Sequence, residues 1–310
     1  MALGTAHVTT SIANNFIPEL WSDEVIGAYK TNLVIANLVT KLSHKGKKGD
    51  TIHIPVPARG SASAKAASTQ VTLIASTNST VDVSINKHYE YSKLIEDIAE
   101  VQSLASMRRF YTQDAGYALA KQVDTDLIDL AEGFQSGSTT DKSYDTAFIG
   151  SGATAFTGTN EADLTDAGLR ALILKLDNAD VPMDNRSLII PPVVANDLLG
   201  INRFTEQQFI GSGDALKTGK LGQIYGIDVF ISTNCPTVKS SGGTGNSAAG
   251  TERVGVLMHK DALVLAEQVG VRSQTQYKQE YLGDLFTADT IYGIAELRND
   301  AGLAFVVPAA

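Results

Sequence analysis

Cysteine is nearly absent from the chain: its 310 residues include one, Cys235. A disulfide framework within the chain is therefore excluded, which suits assembly in a reducing compartment. A reactive-thiol role would need a histidine brought close by the fold, and none stands nearby in sequence. The simpler reading of Cys235 is a small buried hydrophobe. Proline is sparse too, with 8 in all and none between Pro57 and Pro182. The chain also lacks any apolar run near the ~20 residues that a membrane span needs. Residues 1–10 lack the positive region and apolar block of a secretory signal. Positive charge is in deficit: 25 Lys and Arg against 34 Asp and Glu give a net charge of −9 and a pI near 5.0. Tight gripping of nucleic acid through its phosphates calls for the opposite balance, so only a local basic patch is left open.

Catalytic signatures are missing as well. The five histidines are His7, His44, His53, His88 and His259. No two stand at metal-ligand spacing, and each reads as a surface or strand histidine. Residues 213–220 resemble a phosphate loop, but the interval from Gly213 to Gly219 is one residue too long. Leu221 also stands where Ser or Thr would hold magnesium. There is no nucleophile elbow and no dinucleotide fingerprint after a strand. Asp124, Asp126 and Asp129 lack the glycine and terminal glutamate of a calcium loop, and read as a solvated helix face or as partners of a basic neighbour. No catalytic residue, cofactor or metal is expected.

Against these absences stand a 43% hydrophobic content and 19% charged residues, ample for a core in one large domain or two ordinary ones. The longest stretch of one periodicity is 97–134. Leu94, Ile98, Val101, Ala105, Ala115, Leu119, Val123, Leu127, Leu130 and Phe134 recur at steps of mostly three or four, the stripe of an amphipathic helix. Asp97 with Glu100 reads as its N-terminal cap, and Gly133 and Gly137 as its stop. At 1.5 Å per residue it would run for roughly 55 Å. Just before it the period switches to two. Ile52, Ile54 and Val56 alternate with Pro55 and Pro57, prolines that mark a sheet edge. Residues 58–70 are almost all small. Val71–Ile74 and then 80–91 resume the strand pattern, with Val81, Val83, Ile85, Lys87, Tyr89 and Tyr91 on one side. Residues 50–92 thus predict a two-stranded ribbon with a small-residue tip. Such a ribbon is marginal alone in water, and another copy of the chain is the natural surface to lay it on.

The rest reads in order. Residues 1–15 form an extended arm. Residues 16–30 follow at helical spacing, with Phe16 at the start and Trp21, the sole tryptophan, packed against a neighbour. Residues 33–42 read as a short helix or an extended stretch, and the basic run 44–50 as a turn before a strand. Thr165 caps a second helix that buries Leu169, Leu172, Ile173 and Leu176. Residues 187–190 form a buried strand stopped by Pro191 and Pro192, and 193–199 a short helix. Residues 203–220 and 238–251 are loops. Residues 223–232 read as a strand kinked at Gly226. Strands follow over 254–258, 262–266, 271–281, 285–297 and 303–307.

This order of parts resembles the tailed-bacteriophage major capsid protein of the Hong Kong 97 type, an α+β fold. Residues 1–49 are similar to its N-terminal arm, 50–92 to its extended loop and 93–162 to its spine helix with the peripheral domain. Residues 163–250 are similar to its axial domain, and 251–310 to the return through both domains. The segment Gly222-Gln-Ile-Tyr-Gly-Ile-Asp-Val-Phe-Ile-Ser232 resembles a strand of that family. Val254-Gly-Val-Leu-Met-His-Lys-Asp-Ala-Leu263 and Tyr292-Gly-Ile-Ala-Glu-Leu-Arg-Asn299 resemble its peripheral return strands.

The resemblance implies a shell protein that self-assembles as hexamers and pentamers into an icosahedral head holding double-stranded DNA. Assembly would take place in the bacterial host cytoplasm. The implied partners are further copies, a scaffolding protein, a portal, decoration proteins in some members, and weak non-specific contact with DNA; no membrane is implied. A separate scaffolding protein is expected, unless cleavage has removed a leading segment. Contacts between subunits would involve Arg59 and Lys65 at the loop tip and Phe16 and Trp21 on the arm. Some members link a loop lysine to a partner asparagine. Lys65 lies in that region, and reads first as a solvent-exposed lysine. Arg108, Arg109 and Lys121 on the spine helix would face inward to DNA or scaffold, or form a solvated face. The alternatives are an encapsulin-type compartment shell and a soluble α/β enzyme with a dispersed site.

Overall fold

The computed structural model describes residues 35–44, 49–56, 62, 64–71, 73, 79–98, 107–135, 147–152, 154–157, 162–201, 222–238 and 252–308. Among the described residues, two larger sheets and three α-helices build the body, and a separate two-stranded sheet stands on it. The mixed α+β architecture is the one expected.

The seven-stranded sheet has the order β5 (Phe148–Ile149), β13 (Gly302–Pro308), β10 (Glu252–His259), β6 (Arg186–Ile190), β8 (Ile227–Ile231) and β7 (Gln223–Ile224), with β9 (Thr237–Val238) also paired to β10. Every residue of β6 is buried, and all but the last of β13. Apolar runs with little alternation are what strands covered on both faces require. Helices α2 (Asp166–Asn178) and α3 (Pro192–Leu199) supply part of that cover. Thr165 caps α2 through its side-chain oxygen, which accepts the Gly168 N–H at 3.1 Å, and Leu169, Leu172 and Leu176 are buried as expected. Pro192 opens α3, where its missing N–H removes no helical bond. Residues 223–231 are not one kinked strand. Tyr225 and Gly226 both take positive φ, 52° and 77°, and reverse the chain between β7 and β8. Two such residues make the tight turn that suits a hairpin's twist.

The four-stranded sheet has the order β1 (Thr40–Ser43), β11 (Leu263–Lys278), β12 (Gly283–Glu296) and β4 (Lys87–Glu96). Register shifts at Glu267/Val269 and Val269/Arg272 interrupt β11, and from Arg272 to its end at Lys278 the pairing with β12 is continuous. Of the two segments similar to peripheral return strands, 254–263 lies mostly in β10 of the seven-stranded sheet and 292–299 mostly in β12 of the four-stranded one. Residues 35–37 form a single 3-10 turn before β1, so both readings of 33–42 hold in part.

Helix α1 (Met107–Ala131) has 25 residues, about 37 Å at 1.5 Å per residue. Residues 97 and 98 are helical, and 99–106, with Val101, Ala105 and Glu100, lie outside the described residues. The stripe holds from Ala115 to Phe134, all buried, but not at its start. Leu94 belongs to strand β4 and is 40% exposed, and Ile98 is 62% exposed. Asp97 spends its carboxylate on the Tyr277 hydroxyl at 2.8 Å. At the far end the left-handed residue is Gln135, not Gly133. The ring of Phe134 occupies the space where a Cβ on Gly302 would sit, so that position requires glycine.

The two faces of the four-stranded sheet carry different loads. Phe286 and Ala288 meet Ala115 and Leu119 of α1. Ile291 and Ala295, of opposite parity and hence on the other face, meet the base of the two-stranded sheet.

Candidate functional site: the ribbon, its root and the long helix

Strands β2 (Thr51–Val56) and β3 (Ser79–Ser84) pair antiparallel over six residues, from Thr51 with Ser84 to Val56 with Ser79. Period-two alternation sends Ile52, Ile54, Val81 and Val83 to one face. At the root Val83 is fully buried and Ile85 nearly so, against Val264, Ala266 and Ala295. The opposite face carries the His53–Asp82 ion pair, with both side chains more than half exposed. Beyond the paired strands, each described residue at 62, 64–71 and 73 is exposed. Val71 and Leu73 expose 66% and 91% of their surface and lie outside any strand. The pattern read over 80–91 is also broken. The Ile85 N–H donates to the Asp50 carbonyl at 2.7 Å, closing the ribbon, and Lys87 starts β4 in the other sheet.

That junction is tied to α1. Lys87 Nζ donates to Asp126 Oδ2 at 2.8 Å, the Tyr292 hydroxyl to the same oxygen at 2.7 Å, and Gln122 Nε2 to Oδ1 at 3.2 Å. Tyr89 stacks on Tyr292 with ring centroids 5.9 Å apart. Burial and the charge of Asp126 raise the Tyr89 phenol above its ordinary value. Two residues earlier, Asp124 Oδ1 accepts the Ile35 N–H at 3.2 Å. Asp124 and Asp126 are 1% and 4% exposed. Of the two expectations for these residues, a solvated face fails for Asp124 and Asp126, whereas a basic neighbour is what Asp126 meets in Lys87; Asp129 is half-buried. Their partners lie 89, 39 and 166 residues away, beyond the reach of sequence spacing.

Of the residues expected to make contacts, Lys65 is exposed on the loop and Lys121 is exposed on α1. Arg108 and Arg109 fall in the first turn of α1, and their side chains lie outside the described residues, as do Phe16, Trp21 and Arg59. Cys235 is buried, and desolvation pushes its thiol up to about 12, an unreactive state at neutral pH. Among the described residues no group of three potential metal ligands occurs, and no helix is long and apolar enough to cross a membrane. A cleft of about 450 Å³ between the start of α2 and the end of α3 is lined by Asp163, Asp166 and Asp197 with Thr165 and Asn196. Burial, then the charge of Asp163, raises the Asp197 carboxyl. No histidine, lysine or cysteine lines this cleft to make a nucleophile–base pair.

A family model described as phage capsid protein matches residues 36–297. A search of the curated proteins finds no match. Among solved structures, a chain of Mycobacterium phage Che8 superposes with a TM-score of 0.68 at 22% identity, covering 88% of this chain and 90% of that one. The capsid structure of cyanophage P-SCSP1u gives 0.66 at 19% identity, covering 90% and 89%. A virus-like particle from Pyrococcus furiosus gives 0.53 at 11% identity, covering 93% and 98%. At these identities the superpositions establish a shared fold.

Proposed function

The chain belongs to the phage capsid protein family, matched over residues 36–297, and we propose that its ribbon and arm are the elements that bind neighbouring copies in the shell. It is a major capsid protein, a structural subunit of the virion with the Hong Kong 97-type fold. The observation that carries the proposal is the ribbon. Among the described residues its strands pair only with each other, its root alone is buried, and each residue of its loop is exposed. A two-stranded sheet of this kind needs a surface to lie on.

In this reading the subunits form hexamers and pentamers that close into an icosahedral head. The ribbon lies over one neighbour, with Arg59 and Lys65 at its tip, and the arm with Phe16 and Trp21 reaches another. The seven-stranded sheet with α2 and α3 serves as the axial domain, and the four-stranded sheet with α1 as the peripheral one. A scaffolding protein and a portal complete assembly in the host cytoplasm. Lys121, with Arg108 and Arg109, touches the packaged double-stranded DNA weakly. The net charge of −9 keeps the wall from adhering strongly to what it encloses.

Electron microscopy of the purified protein with its scaffold tests this: closed shells of uniform diameter are expected, and a discrete small oligomer refutes it. Shell contents of DNA rather than a folded enzyme separate a phage head from a storage compartment.

A further inference from the structure

Asp124 and Asp126 are two residues apart on α1. At 100° per residue their side chains leave the helix about 200° apart, on nearly opposite sides, with a rise of about 3 Å between them. Each holds the root of a different element. Asp124 takes the backbone N–H of Ile35, in the 3-10 turn that leads into β1, and Ile35, Ala36 and Val39 are all buried. Asp126 takes Lys87, the first residue of β4 after the ribbon, whose side chain is 18% exposed against 6% for Asp126. The helix is thereby held from two sides, and from Val123 to Ala131 no position on it is exposed.

A merely stabilising role would be met more simply by apolar packing, because a buried ion pair seldom outperforms a hydrophobic pair of the same shape. What an ion pair with two further hydrogen bonds supplies is geometry: Lys87, Tyr292 and Gln122 converge on one carboxylate from three directions. The hinge they govern is short. Only Ile85 and Asn86 separate the last residue of β3 from Lys87.

We propose that Asp126 is a positioning residue that sets the angle at which the ribbon leaves the subunit, measured against α1 and the turn at Ile35 that Asp124 holds. The inference rests on the reading of the ribbon as an inter-subunit element, but its test does not require assembly. In solution, with the node intact, the ribbon holds one angle; without it, the ribbon samples several and the subunit stays folded.

The test uses the unassembled full chain with spin labels at Ser79→Cys, at the far end of β3, and Gln113→Cys, on the exposed face of α1. Native Cys235 is buried and stays silent. The reference protein should give one narrow inter-label distance distribution. The double variant Lys87→Met, Asp126→Asn removes both charges together and keeps side chains of similar shape. It should keep the melting transition while the distribution broadens at least two-fold, and the single variant Lys87→Arg, with Asp126 in place, should keep the narrow one. Should the double variant fail to fold, Tyr292→Phe removes one hydrogen bond and keeps the ring, and the same broadening is expected from it. A distribution as narrow as the reference in the folded double variant, or in Tyr292→Phe where that stands in, overturns the proposal. Absence of shells from the unsubstituted protein would count against the assembly reading alone, since the distances are measured on subunits.

Discussion

The seven-stranded sheet and the ribbon are both built from short apolar strands, yet they keep opposite company. In β6 and β10 nearly every side chain is buried, and the pairing continues through β13 on one side and β8 on the other. In β2 no side chain is fully buried, and β3 buries only Val83. Strands of the first kind stabilise the subunit by removing apolar surface from water. Strands of the second kind leave half of that surface available. The difference is what supports the proposed division, in which one region carries stability and the other association.

The sharpest way to break this division is to remove volume from the sheet core. Phe305 is fully buried and its ring fills the space above Gly255. Phe305→Ala should lower stability by about 3–5 kcal/mol, measured by denaturant unfolding of the unassembled subunit. A loss below about 1 kcal/mol would mean that the core lies elsewhere. At the ribbon root the same operation should cost less. Val83→Ala deletes two buried methyl-sized groups, worth about 1.5 kcal/mol, and should loosen the ribbon before the body, seen as faster amide exchange over 79–84 than over 252–259. Equal acceleration in both segments would show that the ribbon unfolds with the body.

Acid should act on the four-stranded sheet that joins the two regions. The Arg272 guanidinium, bonded to both oxygens of Asp289, holds that carboxyl below its ordinary value of 3.8, and His88 adds a second bond at 3.0 Å. A depressed carboxylate contributes stability above its ordinary pKa and loses it as pH falls through the folded value. Asp289→Asn should therefore flatten the acid side of the stability curve, below about pH 4, and change its neutral plateau less. Arg272 is half exposed, so the effect is small. Smallest of all, Lys65→Ala on the exposed loop should leave the melting temperature of the subunit unchanged, and a shift of several degrees would place the loop on its own body.

How much of this could be read from sequence follows the range of the interactions. The Thr165 cap, the Leu169, Leu172 and Leu176 stripe and the buried run at 187–190 are local patterns and lie where they are expected, while Ile173 of that stripe is half-buried and the strand starts one residue earlier, at Arg186. The ribbon was legible because alternation and small residues are also local. Failures occur where two periods overlap or where partners are distant. Leu94 and Ile98 are four apart, which imitates a helix, although β4 runs through Glu96. The Tyr225–Gly226 reversal escaped because tyrosine seldom adopts positive φ. The acidic residues of α1 read as a surface or as partners of a basic neighbour; the choice escapes sequence because burial of a carboxylate depends on a partner, and Lys87, Tyr292 and Ile35 arrive only through tertiary structure. Of the expected contact residues, Lys65 and Lys121 do lie at exposed positions.

The division between a body that folds and a ribbon that associates is tested most directly by deleting residues 60–69. Circular dichroism and melting of the unassembled subunit should be unchanged, and electron microscopy should show no stable closed shells. Shells of normal diameter formed without the tip would contradict the account.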